Sequence, residues 1–202
     1  VAWHELDRTG IQFEESVNRQ FVVLVDQEII PLIDETFLPL INNDVKQLQG
    51  LQNSIALILE ADRDVHQAVI AEKMALVASE EEEIKAADLA NSENIEQAKA
   101  RMEKASVQFT SEKAQQLYSE FLTSYAVWEE KSRNVFTLAN TPGKLAWARK
   151  ASDKGSAFQA FQDMRDKIDQ LQTVMQDEII ATIQNVEDKK TTANEKEEYV
   201  NI

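Results

Sequence analysis

An all-α fold of a few long, packed helices follows from three observations. Only four glycines and three prolines punctuate 202 residues, too little turn material for hairpins or many short strands. From Leu48, the positions Leu48, Leu51, Ile55, Ile58, Asp62, Val65, Val69, Glu72 and Leu76 step by alternating threes and fours, the spacing of one helix stripe. Asp62 and Glu72 alone interrupt it. The series Phe158, Phe161, Arg165, Ile168, Gln172, Met175, Ile179, Thr182 and Val186 keeps the same rule over roughly seven turns, as in coiled-coil-like packing. An apolar content of 43% suffices for a sizeable core.

In chain order, residues 1–40 read as kinked or broken helix. Gly10, Pro31 and Pro39 interrupt an amphipathic pattern that includes Phe13, Val17, Phe21 and Leu24. A long helix covers roughly 41–78, with a turn near Ala78. Ser79-Glu80-Glu81-Glu82 then has capping-box spacing and places carboxylates on a first turn, where the helix dipole favours them. The stretch from Ser79 to Ala139 would be about 90 Å long as one helix; Thr110-Ser111-Glu112 are good caps that could divide it, although they include no Gly or Pro. Thr141-Pro142-Gly143 breaks the chain, with Pro142 suited to the first position of a short helix through Trp147. Asp153-Lys154-Gly155 breaks it again. Ser156 and Gln159 have capping-box spacing and open a last helix over 156–200, whose charged tail from Glu187 to Tyr199 is expected to fray. There is no internal repeat and no low-complexity linker.

Charge excludes several functions. With 21 basic and 36 acidic residues, the net charge is -15, which repels phosphate backbones and anionic lipid surfaces. The absence of cysteine removes disulfides, thiolate metal sites and a cysteine nucleophile, while leaving the redox compartment open. Apolar runs such as Phe21 to Val25 are far too short to span a membrane. The chain starts at Val1 without an initiator Met, and we expect a piece of a larger protein.

Catalytic chemistry is also poorly supplied. There are two histidines, no Gly-rich phosphate loop and no Glu-x-x-His of the kind bundle di-iron sites use. We expect no enzyme, no metal and no cofactor. His66 lies four residues after Asp62, a spacing more typical of a helix hydrogen bond than of metal ligation. Phe121, Trp128, Phe158 and Phe161 fall at helical spacings and read as core.

Four segments, in order, carry a resemblance. Leu59-Glu60-Ala61-Asp62-Arg63-Asp64-Val65-His66-Gln67-Ala68 resembles the first long helix of the sensor domains of methyl-accepting chemotaxis proteins. Glu93-Asn94-Ile95-Glu96-Gln97-Ala98-Lys99-Ala100-Arg101 is similar to their second helix, Trp128 with Ser132-Arg133 to their third, and Phe161-Gln162-Asp163-Met164-Arg165-Asp166-Lys167-Ile168-Asp169 to the start of the fourth. His66 stands where that family often has an aromatic residue. The resemblance spans roughly residues 45–175. It implies an elongated antiparallel four-helix bundle over 41–202; residues 1–40 exceed what a minimal sensor bundle needs and are read as a membrane-proximal helical extension. It further implies a periplasmic domain of an inner-membrane protein, flanking transmembrane helices and a homodimer; the net charge of -15 already disfavours a nucleic-acid partner. Both ends of such a bundle meet one membrane, so the number of long helices is even and a turn near Ser111 is required; the helices become 79–109 and 111–150, the latter interrupted near 141.

Arginine placement is the most informative feature for binding. Arg63, Arg101, Arg133 and Arg165 fall one per proposed helix, each among apolar neighbours. Counted from distal turns near 80 and 150, Arg63 and Arg101 share one level and Arg133 and Arg165 another, the two roughly 20 Å apart. Guanidinium groups in a core need carboxylates. Asp62, Asp64, Asp163 and Asp166 could supply them internally, or a carboxylate-bearing ligand such as an amino acid or organic acid could complete one level, since planar bidentate recognition suits Arg. The expected binding set is Arg63, Asp64, Gln67, Arg101, Trp128, Arg133 and Arg165. Three rivals share the sequence: the sensor of a membrane histidine kinase, a structural or partner-binding bundle marked by an exposed apolar stripe along 13–41, and a metal-dependent bundle enzyme.

Overall fold

A computed structural model describes residues 15–32, 34, 35 and 38–200, with side chains as far as residue 192. The described residues are helical apart from short turns, with no strand. Gly10 and Phe13 lie outside them. The chain divides into two units, Val1–Gln47 and Leu48–Ile202.

In the first unit, residues 15–24 are helical and lead into a π-helical stretch, Val25–Ile29, followed by helical Ile30–Leu32. The Ile30 N–H donates to the Val25 carbonyl, the five-residue step of a π turn. Pro31 explains the widening: it has no N–H to donate, and its ring would crowd the carbonyl four residues back in an α-helix. The expected interruption is therefore a local change of winding. Pro39 sits in the first turn of the next helix, α1 (Leu38–Val77), where a missing N–H costs nothing.

The second unit contains most of α1, then α2 (Glu81–Ser106), α3 (Glu112–Ala139), α4 (Leu145–Lys154) and α5 (Ser156–Val200). The four longest pair in antiparallel fashion. Ser54 of α1 bonds to the Ala105 carbonyl of α2, whereas Ala68 meets Asn91. Between α2 and α3, Ile95 meets Tyr125 and Asp88 meets Arg133. Ser111, just before α3, reaches Glu178 of α5, and Trp128 meets Phe161. Asp62 of α1 holds Arg165 of α5, and His66, in the position noted above, lies edge-on to Phe161 at 5.3 Å.

One core joins these helices, from Leu51, Ile58 and Val65 through Ile95 and Met102 to Phe121, Trp128, Met164, Ile168 and Leu171. Alanines line the α1–α2 side, with Ala61, Ala68, Ala98 and Ala105 fully buried; lacking bulk, they let the two backbones approach. A smaller cluster of Leu76, Val135, Ala148 and Ala157 lies against α4. Arg149 of α4 donates through Nε and Nη2 to the Leu76 carbonyl, at 3.3 and 3.0 Å, satisfying an otherwise orphaned group at the α1 C-terminus with a cation the helix dipole favours.

The turn at Ser111 is present. Residues 107–111 leave the helix, and Ser111 caps α3 by accepting the Ala114 N–H at 3.2 Å while donating to Glu178 at 2.5 Å. Replacing Ser111 by alanine is expected to cost about 1 kcal/mol, read as a lower urea midpoint at unchanged m-value.

Other boundaries move by a residue or more. The N-cap of α2 is Glu80 instead of Ser79, because Glu83 reaches back to accept both the Ser79 and Glu80 N–H groups. Pro142 does not open the short helix. It occupies a turn with Gly143 at φ 77°, closed by Lys144 N–H to the Thr141 carbonyl at 3.0 Å, so that α4 starts at Leu145 and runs beyond Trp147. Ser156 is already helical. Gly155 precedes it, and a Cβ there would stand 2.7 Å from the Lys150 carbonyl oxygen, so the tight turn off the last turn of α4 needs glycine. The buried seam of α5 runs through Ala160, Met164, Leu171 and Val174 as well as Phe161, Ile168 and Met175. Phe158 is instead 36% exposed. A helix facing several neighbours buries a wide face, so a narrow two-position stripe misplaces its edges. The backbone of α5 stays helical through the charged tail to Val200.

Candidate functional site

The polar and aromatic groups inside the second unit form three assemblies. The first surrounds Asp64, whose carboxylate is buried beneath two arginines. Arg63 donates to Oδ1 through Nε and Nη2 at 3.3 and 3.1 Å, and Arg101 Nε approaches Oδ2 at 2.6 Å. The Arg101 N–H is not directed at Oδ2, which therefore accepts no hydrogen bond and is held as an ion pair. Arg101 also pairs with Glu60 through Nη1. Two residues earlier on α1, Asp62 accepts from Arg165 Nε at 2.9 Å. The Asp62 carboxylate, with Asp169 4.0 Å from the guanidinium, favours the charged form of Arg165.

Arg63 and Arg101 therefore meet at one level, as their spacing predicts, but Arg165 joins them and not Arg133. Trp128 stands opposite Phe161; Arg133 lies five residues to one side of that level and Arg165 four to the other, which separates them by roughly 13 Å along the helices. The cause is α4, which replaces a symmetrical turn between α3 and α5. Arg133 instead bonds Asp88 at 2.6 Å and Ser92 at 2.5 Å, with its guanidinium 5.8 Å from the Phe136 ring. Each of the four arginines has an internal carboxylate partner. Of these, Arg63 remains the most open, with 55% of its side chain exposed, and Gln67, one turn further along α1, is exposed beside it.

The second assembly is aromatic. Trp128, one of the expected binding residues, is wholly buried in a continuous run of rings: Phe109, Tyr118, Phe121, Tyr125, Trp128, Phe161 and His66, with centroids 5.3–6.2 Å apart. The Tyr125 hydroxyl donates to the Ile95 carbonyl. Burial, reinforced by Glu129 and Glu96, raises its pKa and keeps it neutral.

The third assembly was not among the expected site residues, although Glu72 and Asp62 were the two interruptions of the α1 stripe. Glu72 is 2% exposed and accepts the Ser132 hydroxyl at 2.6 Å. Asn91, also buried, donates to Ser132 at 3.2 Å and to the Ala68 carbonyl at 2.8 Å, while its own Oδ1 accepts no hydrogen bond. Lys73 bridges to Asp153 at 2.9 Å and to Ser152. Burial pushes the Glu72 carboxyl above its ordinary 4.5, with the Ser132 and Ser152 hydroxyls and the Lys73 charge opposing it. The folded state thus retains a proton that the unfolded chain has released, so stability declines as pH rises from 4.5 through the raised value. A Glu72→Gln variant stays neutral throughout. Its melting temperature is expected to climb relative to the unsubstituted protein as pH rises and to converge with it at low pH, which melts between about pH 4 and about pH 8 would follow.

Among the described residues no group of acidic or histidine side chains is arranged to hold a metal, and no helix is long and apolar enough to cross a membrane. His66 Nδ1 contacts the Asp62 carbonyl at 2.7 Å. No family model matches the chain, and neither a curated protein nor a solved structure matches it significantly.

Proposed function

We propose that α1, α2, α3 and α5 form a four-helix bundle that serves as the periplasmic, signal-sensing domain of a transmembrane chemoreceptor, binding an amino acid or organic acid as a homodimer and passing a helix displacement across the membrane. The observation that carries this reading is the antiparallel pairing of α1 with α5. The chain therefore enters and leaves the second unit at the same end, as a domain borne on two membrane helices must. The ordered resemblance of all four helices to chemoreceptor sensors supports it. Within this reading the ligand carboxylate engages Arg63 at the exposed edge of the Asp64 level, with Gln67 on the same face and Asp64 and Arg101 behind. Arg165 adjoins that level, Trp128 stiffens the core behind it, and Arg133 anchors α3 to α2.

The test has two parts. Calorimetric titration with amino acids and dicarboxylates should yield a binder whose affinity collapses in Arg63→Ala and survives in Arg133→Ala; undiminished binding in Arg63→Ala removes that arginine level from the site. Inserting the chain between the transmembrane helices of a chemoreceptor should then give kinase control by that ligand. A kinase sensor would behave alike in the first part.

A second reading is favoured by the first unit, where Val17, Phe21, Val22, Leu24, Ile30 and Leu32 are all exposed. Apolar residues so concentrated mark a binding surface, and a helical module that engages a partner protein would present them. Binding of a partner protein that is lost on substituting Phe21 and Leu24 by serine, without any small-molecule thermal shift in the intact chain, would favour that reading over the receptor.

A further inference from the structure

Beside Glu72 the second unit encloses a cavity of about 220 Å3, lined by Val69, Glu72, Trp128, Ser152, Phe158 and Phe161. Its rim is the Lys73–Asp153 ion pair, whose side chains are 46% and 63% exposed, so the space opens to solvent between α1 and α4. Three properties of the wall concern ligand chemistry. Glu72 is an acid almost fully removed from water, and among the described residues no cation lies within ion-pair distance of it, because Lys73 turns to Asp153 and Ser152. A carboxylate placed so is costly unless a positive group joins it. Three aromatic rings, Trp128, Phe158 and Phe161, also line the space, and the faces of Trp and Phe rings attract cations. The charged groups around the space are two carboxylates and one ammonium, an excess of negative charge.

We propose that this cavity binds a small organic ammonium ion, with its nitrogen against Glu72, on the side away from Lys73, and its hydrocarbon part against Trp128, Phe158 and Phe161. Its volume falls below the roughly 300–1,000 Å3 of pockets that hold drug-sized molecules, so the ligand has a short carbon chain. Lys73 is paired with Asp153 at the mouth, which offsets its charge there. The site is separate from the arginine level, and it stands whether or not the chain is a receptor domain.

Isothermal calorimetry at neutral pH with three molecules of one shape tests the assignment: isopentylamine, isopentanol and isovalerate. The amine should bind at least about tenfold more tightly than the other two, a gap of about 1.4 kcal/mol. Glu72→Gln, which removes a buried charge and leaves the core volume unchanged, should lose at least about tenfold in amine affinity while circular dichroism and melting show the fold retained. Phe158→Ala, at the partly exposed edge of the cavity, should weaken the amine severalfold. No heat with the amine, tighter binding of the acid or the alcohol, or an unaltered affinity in Glu72→Gln overturns the assignment. Should Glu72→Gln not fold, the ranking of the three probes and the Phe158→Ala result decide it.

Discussion

Trp128→Ala is expected to lower the stability of the protein by about 4 kcal/mol. The side chain is wholly buried and touches the rings of Tyr125 and Phe161, at 5.5 and 6.0 Å between centroids. Its removal also opens into the cavity that Glu72 and Phe158 line, so the new void merges with an existing one and the surroundings cannot collapse to fill it. That places the loss toward the upper part of the range for large-to-small core changes. Against a total stability of about 5–15 kcal/mol for a domain, such a loss brings the variant close to unfolding at moderate urea. Trp128→Phe keeps most of the ring volume and should lose far less. Urea titrations followed by circular dichroism compare the two.

The second large effect is asymmetric. Arg101→Met should cost about 2–3 kcal/mol, because it strips one of two cations from a carboxylate that water cannot reach; Arg63 still holds Oδ1, which keeps the loss from being larger. Asp64→Asn should cost less. The guanidiniums it abandons are 25% and 55% exposed, and Arg101 retains Glu60, so water and a second acid compensate. The double variant Arg101→Met/Asp64→Asn should be more stable than Arg101→Met alone, since the stranded charge has gone. A double-mutant cycle measured by chemical denaturation gives the coupling directly. Equal losses from the two single changes would contradict the burial of Asp64 as the controlling factor.

The long helices were legible because their signals are local. The stripe from Leu48 to Leu76 points inward as its spacing requires, and hydroxyl and glycine residues at 79, 111, 143 and 155 mark where helices stop. Ser111 needed an argument about the number of helices, since no Gly or Pro accompanied it; the cap itself depends on one hydroxyl and on a residue of α5. The misplacements were shifts at caps, from one residue at Glu80 to three at Leu145, and the orientation of Phe158, where neighbours beyond the helix decide. The level shared by Arg63 and Arg101 followed from counting residues out from a tight turn. The same count failed for Arg133 and Arg165 because α4 intervenes, and how ten residues fold between two helices is not written in their spacing. Glu72 had a signal that went unused. An acid in the middle of an apolar stripe is either an error of register or a group the interior has been arranged to receive, and Ser132 and Ser152 lie too far along the chain for their pairing with it to be visible.

The helices of the second unit are fastened in two different ways, and this has a mechanical consequence. Between α1, α2 and α3, side chains grip the backbone of a neighbour: Ser54 on the Ala105 carbonyl, Asn91 on Ala68, Tyr125 on Ile95. Slippage by one residue, ~1.5 Å, breaks each of these bonds, and the small alanines between α1 and α2 leave no slack to absorb it. The links from α5 to α1 and α3 through Arg165, Lys167 and Glu178 join side chain to side chain, and long side chains re-aim as a helix travels. Its packing surface includes Met164 and Met175, unbranched residues that re-pack at little cost. Three helices are thus keyed to one another through their backbones, while α5 is held to them by side chains alone; in a receptor of the proposed kind, α5 would be the helix that travels.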